Sequence, residues 1–538
     1  MVFPVDGGVA ATSATAAAAA GASRVVALPD GGAVVIGRGS GPGQKGFYAA
    51  ELTAAGALDP SFGSGGIAHV TVDSPPAVPL QVLRQPDGKL IVIVSGRQTT
   101  AFSFGQLVVV RLDADGSLDP SFGSQGIVSA PVAPTCGSCT TAGLAPDGDI
   151  VLTGEGGLLS AALGGDPSAP TAWVVASLTP SGALDPGFGA GGLETIAATG
   201  AGGYDVAVLP SGEVMTLGVA DSSATGSVAL LSLLGPNGGA DRGFNAGAAV
   251  ALPPASGASA LLVEPNGSAI VGGAGALFGF TPAGRPDPGF GENGVAQLGA
   301  LPSPLQLLPA AGGDVLAVGR LHGAANTLSA VRVTAAGSVD GTLGGPTGIR
   351  FKPRFGGGRA SLPATADRRP VPALAQDSFA AHSVAARPDG SYVAVGGVDV
   401  VAPAPSGRDR SVSDFAVAAL TPGFTPLSGF GGPPRPLRLA LALPAQSASA
   451  DAARHAISVR LDVSARGLAR VRIKASGHVL AAGVLPIFGS GPRILPVALT
   501  AYGASVLRGR GAIRVTASVT ARDLVIQGGR ASASGTIT

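Results

Sequence analysis

The only cysteines of the chain form one short motif, Cys136-Gly-Ser-Cys139. A redox motif of this spacing needs a thioredoxin-like βαβ context, whereas the residues on both sides read as β-strands. A zinc site needs two further ligands, and no second cysteine pair exists. The spacing therefore favours a disulfide between Cys136 and Cys139 that pins a loop, as suits an oxidising compartment, with free thiols as the alternative.

Three carboxylates lie close together in the stretch Asp113-Ala-Asp-Gly-Ser-Leu-Asp119 and resemble a calcium loop. Calcium binding of this kind needs several oxygen ligands at fixed spacing and often a distal bidentate Glu. The equivalent stretches TAAGALD, from Thr53, and TPSGALD, from Thr179, lack those carboxylates. An ordinary hairpin turn is therefore favoured, and we predict no metal site.

The histidines give no catalytic pattern. None of the five pairs with another at the spacing of a metal site or a catalytic triad, and the chain has neither a Gly-x-Ser-x-Gly elbow nor a phosphate-binding Gly-Lys loop. They are His69, His322, His382, His455 and His478. We predict no catalytic residues and no cofactor, although side chains of distant segments can still meet in space.

A basic segment with interleaved aromatic residues is the one local candidate for ligand binding. A basic loop with aromatics suits an anionic glycan or polymer, because ligands tend to sit on loops of a rigid scaffold. The alternative is a solvated excursion without a partner. Its residues are Arg350, Lys352, Arg354 and Arg359, followed by Arg368 and Arg369, with Phe351 and Phe355 between them.

Two markers alternate along the chain and show how these residues are positioned. The first is a Pro-Asp-Gly turn or a variant of it, beginning at Pro29, Pro86, Pro146, Pro210, Pro265, Pro309 and Pro388. The second is an Asp-Pro-x-Phe element or a variant of it, at Asp59, Asp119, Asp185, Asp241, Asp287 and Asp340, with an eroded copy at Leu427. The intervals between these Asp residues are 46 to 66 residues, so the chain contains seven copies of one unit.

Each unit contains four short apolar runs separated by turns. Between Phe62 and Phe122 the runs begin at Ile67, Pro79, Leu90 and Leu107. Pro, Asp and Gly supply the geometry of a tight hairpin, and short β-branched runs between such turns indicate strands. Four strands in about sixty residues is the size of one propeller blade.

The recurring Phe and Asp have structural roles in this interpretation. The Phe side chains are expected to pack between neighbouring blades, and the Asp side chains to close turns, because a catalytic residue appears once and not in every unit. The Phe residues are Phe62, Phe122, Phe188, Phe244 and Phe290.

The string RLDADGSLDPSFGSQGIV, from Arg111 to Val128, resembles the bacterial delta-60 repeat family together with the Pro-Asp-Gly hairpin before it. The resemblance covers roughly residues 1–432. It implies a β-propeller-like array in a mostly exported bacterial protein, and it brings no catalytic residues. With seven units, we predict a seven-bladed β-propeller of four-stranded blades over residues 1–435.

After Pro433-Pro434-Arg435-Pro436 the markers stop, and strict alternation begins, as in Ile457–Ser464 and Ile513–Thr520. A period of two indicates strands with one buried face and one wet face. About seven such runs predict an immunoglobulin-like β-sandwich over residues 436–538, without its Cys and Trp hallmarks. The segments at Ala465–Gly483 and Val515–Leu524 resemble terminal domains of actinobacterial surface proteins.

Composition excludes several partner classes. Charged residues make up 12% of the chain and the formal net charge is +1, so we predict no nucleic-acid partner. No apolar stretch is long enough to predict a membrane span.

The segment Met1–Ala20 lacks the basic start of a signal peptide. Because Phe3 and Gly7-Gly8 match Phe62 and Gly65-Gly66, this segment is expected to pair with the last unit, to follow a lost leader, or both.

The sequence therefore predicts an all-β, monomeric, non-enzymatic scaffold of the cell envelope or the extracellular space. Its expected ligand is a carbohydrate, a surface protein or another envelope component. The first alternative is a propeller-type enzyme, either a sugar dehydrogenase or a polysaccharide lyase, with a site in the central channel. The second alternative is a purely structural spacer. Fold alone does not decide between them.

Overall fold

The structure is a computed structural model. It describes residues 2–3, 21–38, 46–72, 78–95, 107–130, 142–156, 172–197, 201–222, 226–253, 257–299, 303–320, 328–343, 349–351, 375–402, 410–424, 427, 439–463, 467–487, 491–509, 512–523 and 528–538.

Seven four-stranded antiparallel sheets account for the strands described before residue 421. The first strand along the chain, β1 (Val2–Phe3), belongs to the seventh sheet. The first sheet contains β2 (Gly21–Ala27), β3 (Ala33–Arg38), β4 (Phe47–Leu52) and β5 (Ile67–Val70); the second contains β6 (Val78–Arg84), β7 (Leu90–Ser95), β8 (Leu107–Leu112) and β9 (Ile127–Ser129); and the third contains β10 (Ala142–Leu144), β11 (Ile150–Glu155), β12 (Trp173–Leu178) and β13 (Leu193–Ala197).

The remaining four sheets keep the same strand order. The fourth contains β14 (Ala201–Val208), β15 (Val214–Ser222), β16 (Gly226–Leu234) and β17 (Val250–Ala251); the fifth contains β18 (Ala260–Val263), β19 (Ala269–Gly273), β20 (Ala276–Phe280) and β21 (Val295–Gln297); the sixth contains β22 (Ser303–Pro309), β23 (Val315–Arg320), β24 (Leu328–Val333) and β25 (Ile349–Phe351); and the seventh contains β26 (Ala375–Ala386), β27 (Tyr392–Ala402) and β28 (Arg410–Leu420). Single 3₁₀ turns lie at Asn245–Gly247, Ala311–Gly313 and Gly341–Leu343.

The strand β1 pairs antiparallel with β28, so the earliest described residues complete the last sheet of the repeats. The predicted pairing of this segment with the last unit is confirmed. The first and seventh sheets also share one hydrophobic cluster, which includes Val25 and Val35 from the first sheet and Val393 and Val395 from the seventh. The first and the last sheets of the repeats are therefore in contact with each other.

The recurring Phe side chains pack where one sheet meets the next, as predicted. We call each such contact a seam and number it by the earlier sheet. All five Phe residues are at most 3% exposed. In the first seam, a Cβ on Gly116 would lie 2.7 Å from the Phe62 ring, and Gly116 has a φ of +83°. Only glycine fits there, because the ring approaches closely and the backbone is left-handed.

In the sixth seam, the large residue lies in the turn and the smaller one in the preceding unit. Leu343 takes the place of the Phe, and Phe424 takes the place of the turn glycine, with a φ of 58°. The amide of Phe424 donates to the Thr421 carbonyl as the amide of Gly116 donates to the Asp113 carbonyl. Leu343 and Phe424 belong to one hydrophobic cluster and are nearly fully buried. A large residue in the turn thus compensates for a smaller one in the preceding unit.

The C-terminal residues form two further sheets around a separate core. One sheet contains β29 (Leu439–Ala442), β30 (Ala456–Val463) and β33 (Gly491–Ala498), and the other contains β31 (Gly467–Ala475), β32 (His478–Ile487), β34 (Ile513–Asp523) and β35 (Gly528–Ile537). Helix α1 (Ala448–Arg454) precedes β30, and helix α2 (Ala501–Gly509) precedes β34. Burial alternates along β30, which agrees with the predicted period of two.

Candidate functional site

The Asp of the repeat closes a turn, as the sequence predicts. The Oδ1 atom of Asp59 accepts hydrogen bonds from the backbone amide of Ser61 at 2.9 Å and from its hydroxyl at 2.7 Å. Asp119 makes the same two bonds with Ser121. The backbone bond recurs at Asp185, Asp241, Asp287 and Asp340. These are Asx turns, which a short carboxylate side chain favours.

In the second seam, this carboxylate also holds a buried arginine. The Nε atom of Arg111 donates to Asp119 Oδ2 at 2.7 Å, and Nη2 donates to Ser121 Oγ at 3.0 Å. A third guanidinium nitrogen donates to the carbonyl of Pro180, in the turn of the next unit. The guanidinium carbon lies 4.6 Å from the centre of the Phe122 ring. Arg111 thus ties two consecutive units together.

Lys89 completes this network and shows what the supposed calcium loop does. Its ammonium lies 2.6 Å from Asp119 and 3.0 Å from Asp113. Asp115 accepts from the amide and hydroxyl of Ser117. Burial opposes ionisation of Asp119, but bonds from Lys89 and Ser121 and the charge of Arg111 outweigh it and hold its pKa well below the usual value. The turn interpretation of this stretch is confirmed.

The sixth seam repeats the arginine arrangement. Arg332 lies 3.8 Å from Asp340, and its Nη2 donates to the Pro422 carbonyl at 3.0 Å. Arg332 precedes Asp340 by eight residues, as Arg111 precedes Asp119. In both units the backbone amide of the Asp donates to the carbonyl of the arginine. The two arginines therefore occupy one structural position.

In the first seam, that position holds Glu51, whose carbonyl accepts from the amide of Asp59. A cleft of about 290 Å³ lies between the sheets there. Its lining is Leu28, Pro29, Asp30, Val34, Glu51, Arg84, Gly88, Leu90 and Ala114. Burial raises the pKa of Glu51, the carboxylates of Asp59 and Asp30 raise it further, and the Arg84 guanidinium opposes them. Within the part of the chain that the structure describes, this cleft is the candidate binding site.

Asp149, in the third unit, is another carboxyl group with a perturbed pKa. Burial, together with the neighbouring carboxyl groups of Asp147 and Asp185, raises the pKa of Asp149 to about 6. The hydroxyl of Ser177 donates to Asp149 at 3.2 Å and partly offsets the rise.

We expect replacement of Asp149 with Asn to stabilise the protein above pH 6. The folded pKa lies above the unfolded value of about 4, so ionisation opposes folding and stability falls as pH rises between the two. With allowance for solvent screening, the gain at pH 8 is about 1 kcal/mol. Urea unfolding at pH 4 and pH 8 measures it, and Asp87→Asn, in the equivalent turn of the second unit, is the control. An equal gain at both pH values would contradict the assignment.

Three side chains on the first strands of their sheets bridge consecutive sheets, and sequence reasoning missed them. Gln81 bonds both the amide and the carbonyl of Ala142 in the next sheet. Gln306 makes the same pair of bonds to Val384, and Asp205 accepts from the amide of Leu261 at 2.8 Å. The available signal was a polar residue within a mostly apolar strand, since Gln81 and Asp205 each stand five residues before the turn proline.

The predicted site residues are mostly outside the described part of the chain. Cys136 and Cys139 lie outside it, as do Lys352, Arg354 and Arg359. Arg350 lies on β25, and its backbone pairs with Ala330. The disulfide and the ligand loop therefore stay predictions.

No three His, Cys, Asp or Glu side chains in the described part of the chain lie together in a group that could hold a metal ion. None of the helices that the structure describes has the length and apolar character needed to cross a bilayer.

Comparison with known proteins gives one family match. Residues 85–122 match the model of a family described as a domain of unknown function (DUF5122), beta-propeller. This stretch spans the Pro-Asp-Gly turn, Arg111 and the Asp-Pro-Ser-Phe element of the second unit. No curated protein matches the chain.

Among solved structures, a protein of unknown function from Bacteroides caccae is 10% identical, with a TM-score of 0.32 over 60% of this chain and 92% of that one. A glucose dehydrogenase is 13% identical, with a TM-score of 0.32 over 55% of this chain and 92% of that one. Prolyl oligopeptidase B from Galerina marginata is 10% identical, with a TM-score of 0.39 over 82% of this chain and 55% of that one. These low scores carry no argument about activity. The repeats, the sheets and the family match together identify a mostly-β, β-propeller-like chain.

Proposed function

We propose that residues 1–435 form a closed seven-bladed β-propeller and residues 436–538 an immunoglobulin-like β-sandwich. The shared cluster of the first and seventh sheets and the pairing of β1 with β28 support closure. In the C-terminal part, the first, second and fifth strands form one sheet, and the other four form the second. The constant-type immunoglobulin fold differs only in keeping its fourth strand in the first sheet.

On this fold, the chain acts as a non-enzymatic scaffold that binds a carbohydrate, a protein or an envelope component. The observation that carries this proposal is how the charged side chains of the units are used. Lys89 and Arg111 both donate hydrogen bonds to Asp119, and Arg111 also donates to a turn carbonyl of the next unit. The first seam instead opens into a cleft with Glu51 and Arg84 in its lining. A structural framework that also contains an open cleft suits binding better than turnover.

We further propose an exported or cell-envelope location and a monomeric state. The resemblance to delta-60 repeats and the spacing of Cys136 and Cys139 support export, because disulfides persist in oxidising compartments. Cell fractionation measures the location, and thiol labelling measures whether Cys136 and Cys139 are oxidised. A reduced cytoplasmic protein would contradict the proposed location.

A binding screen combined with turnover assays tests the scaffold function. The full chain is applied to a glycan array and to isolated envelope fractions, and is assayed for sugar oxidation and polysaccharide cleavage. We expect saturable binding without turnover. Turnover of either substrate class would contradict the proposal in favour of the enzyme alternative, and the absence of all binding would favour a spacer.

A further inference from the structure

The residue eight positions before the repeat Asp differs from seam to seam, and in the third, fourth and fifth seams it is Ser177, Leu233 and Gly279. It is arginine in the second and sixth seams, as Arg111 and Arg332, and glutamate in the first, as Glu51. In the two arginine seams, the guanidinium lies by the Asp of its own unit and donates to a turn carbonyl of the next. The chain therefore contains two occupied examples of a guanidinium position.

The first seam keeps the groups that accept from the guanidinium in the second seam. Asp59 and Ser61 stand where Asp119 and Ser121 stand, and the serine hydroxyl bonds the aspartate in both units. Ala114, which lines the cleft, takes the place of Pro180, because each lies in a turn that a left-handed glycine closes by donating three residues back. The acceptors are present, and the donor that they serve elsewhere is replaced by Glu51.

The charges around the cleft make a cation favourable there. The carboxylates of Asp59 and Asp30 both act on Glu51, and Arg84 is the one cation that acts on it among the described residues. Glu51 is half-buried in the seam. A buried carboxylate next to like charges is stabilised by a cation that reaches it, and a guanidinium suits carboxylate oxygens because its donors are arranged in a planar fork.

We propose that the first seam binds a guanidinium group supplied by another molecule, in the position that Arg111 fills in the second seam. The guanidinium acts only as a hydrogen-bond donor, and it donates to Glu51, Asp59 and the Ala114 carbonyl. The chemical class of the ligand is therefore an arginine side chain, carried either by a peptide or by a free arginine derivative. This inference rests on the proposed function as a binding scaffold and names the chemistry of its cleft.

The direct test is titration of the full chain with N-acetyl-arginine amide, followed by NMR of the alanine methyl groups, Ala114 among them. The control probe is the matching citrulline derivative, which has the same shape without the charge. We expect the arginine derivative to shift the Ala114 signal and the citrulline derivative to bind at least tenfold more weakly, since hydrogen bonds between charged groups are the stronger ones. Equal binding of both probes would overturn the proposal.

Three substitutions with opposite expected signs sharpen the test. Glu51→Gln weakens binding about tenfold, whereas Arg84→Gln strengthens it by removing a repelling charge. Glu51→Arg abolishes binding and raises the melting temperature, because the new guanidinium fills the seam from within. Glu292→Gln, an exposed carboxylate near the fifth seam, leaves binding unchanged. Undiminished binding in Glu51→Gln or Glu51→Arg would overturn the proposal.

Two further comparisons distinguish failure of the guanidinium site from failure of the proposed scaffold function. An arginine-containing peptide that binds more tightly than the free derivative identifies a polypeptide ligand, and equal affinity identifies the small molecule. If neither binds while a glycan or an envelope fraction does, the guanidinium site is wrong and the scaffold function stands. If no ligand of any class binds, both fail.

Discussion

Replacing Phe424 with Gly should destabilise the repeat domain by about 3 kcal/mol, and adding Leu343→Phe should restore most of that loss. Loss of a buried phenyl group costs about 3–5 kcal/mol, partly offset because Phe424 has a left-handed backbone. Leu343→Phe alone should cost about 2 kcal/mol through overpacking. The double variant has the Phe and Gly sizes of the first seam, so the two changes should be strongly coupled.

Urea unfolding measures these effects through a natural probe. The chain has a single tryptophan, Trp173, which is fully buried in the third sheet, so its fluorescence reports on the repeat domain. The control pair is Phe424→Gly with Phe122→Leu, which lies in a different seam and should be additive. Additive losses for Phe424 and Leu343 as well would mean that the two residues do not share a seam.

Replacing Asp119 with Ala should cost about 3 kcal/mol at neutral pH. The change leaves Arg111 buried without its carboxylate, and breaking a buried ion pair from one side is strongly destabilising. Asp287→Ala is the matched control, because that side chain only closes its turn, and it should cost about 1 kcal/mol. The same Trp173 fluorescence measures both.

The acid limb of the stability curve gives a second readout of Asp119. Its folded pKa is held below the ordinary value, so its contribution is present above that value and is lost as pH falls. The Asp119→Ala variant should therefore lose less stability than the natural protein between neutral pH and about pH 3. Similar small costs for Asp119→Ala and Asp287→Ala would contradict the role of the arginine network.

The local features of the units could be predicted from sequence because they depend on neighbouring residues. The Asp-Pro-Ser-Phe element specifies its own turn, and Asp59 bonds a residue only two positions away. Phe62 could be placed in the core because a large apolar side chain after each turn has to be covered by the next unit. Alternation alone located the C-terminal strands.

The bonds between units could not be predicted in the same way. Arg111 reaches Pro180 from 69 positions away, and Gln81 reaches Ala142 from 61. Those pairings depend on how consecutive sheets stack, which no local pattern specifies. The exchange of Arg for Glu51 was visible eight positions before the repeat Asp, but its meaning requires knowing that Arg111 crosses a seam.

Methyl NMR across the contact between the first and seventh sheets tests the closed ring most directly. In the full chain with labelled valine methyl groups, we predict nuclear Overhauser effects between Val25 or Val35 and Val393 or Val395. These residues are more than three hundred positions apart in sequence, and only closure brings them together. Complete absence of such effects, with effects across the other seams intact, would indicate an open array and contradict the propeller.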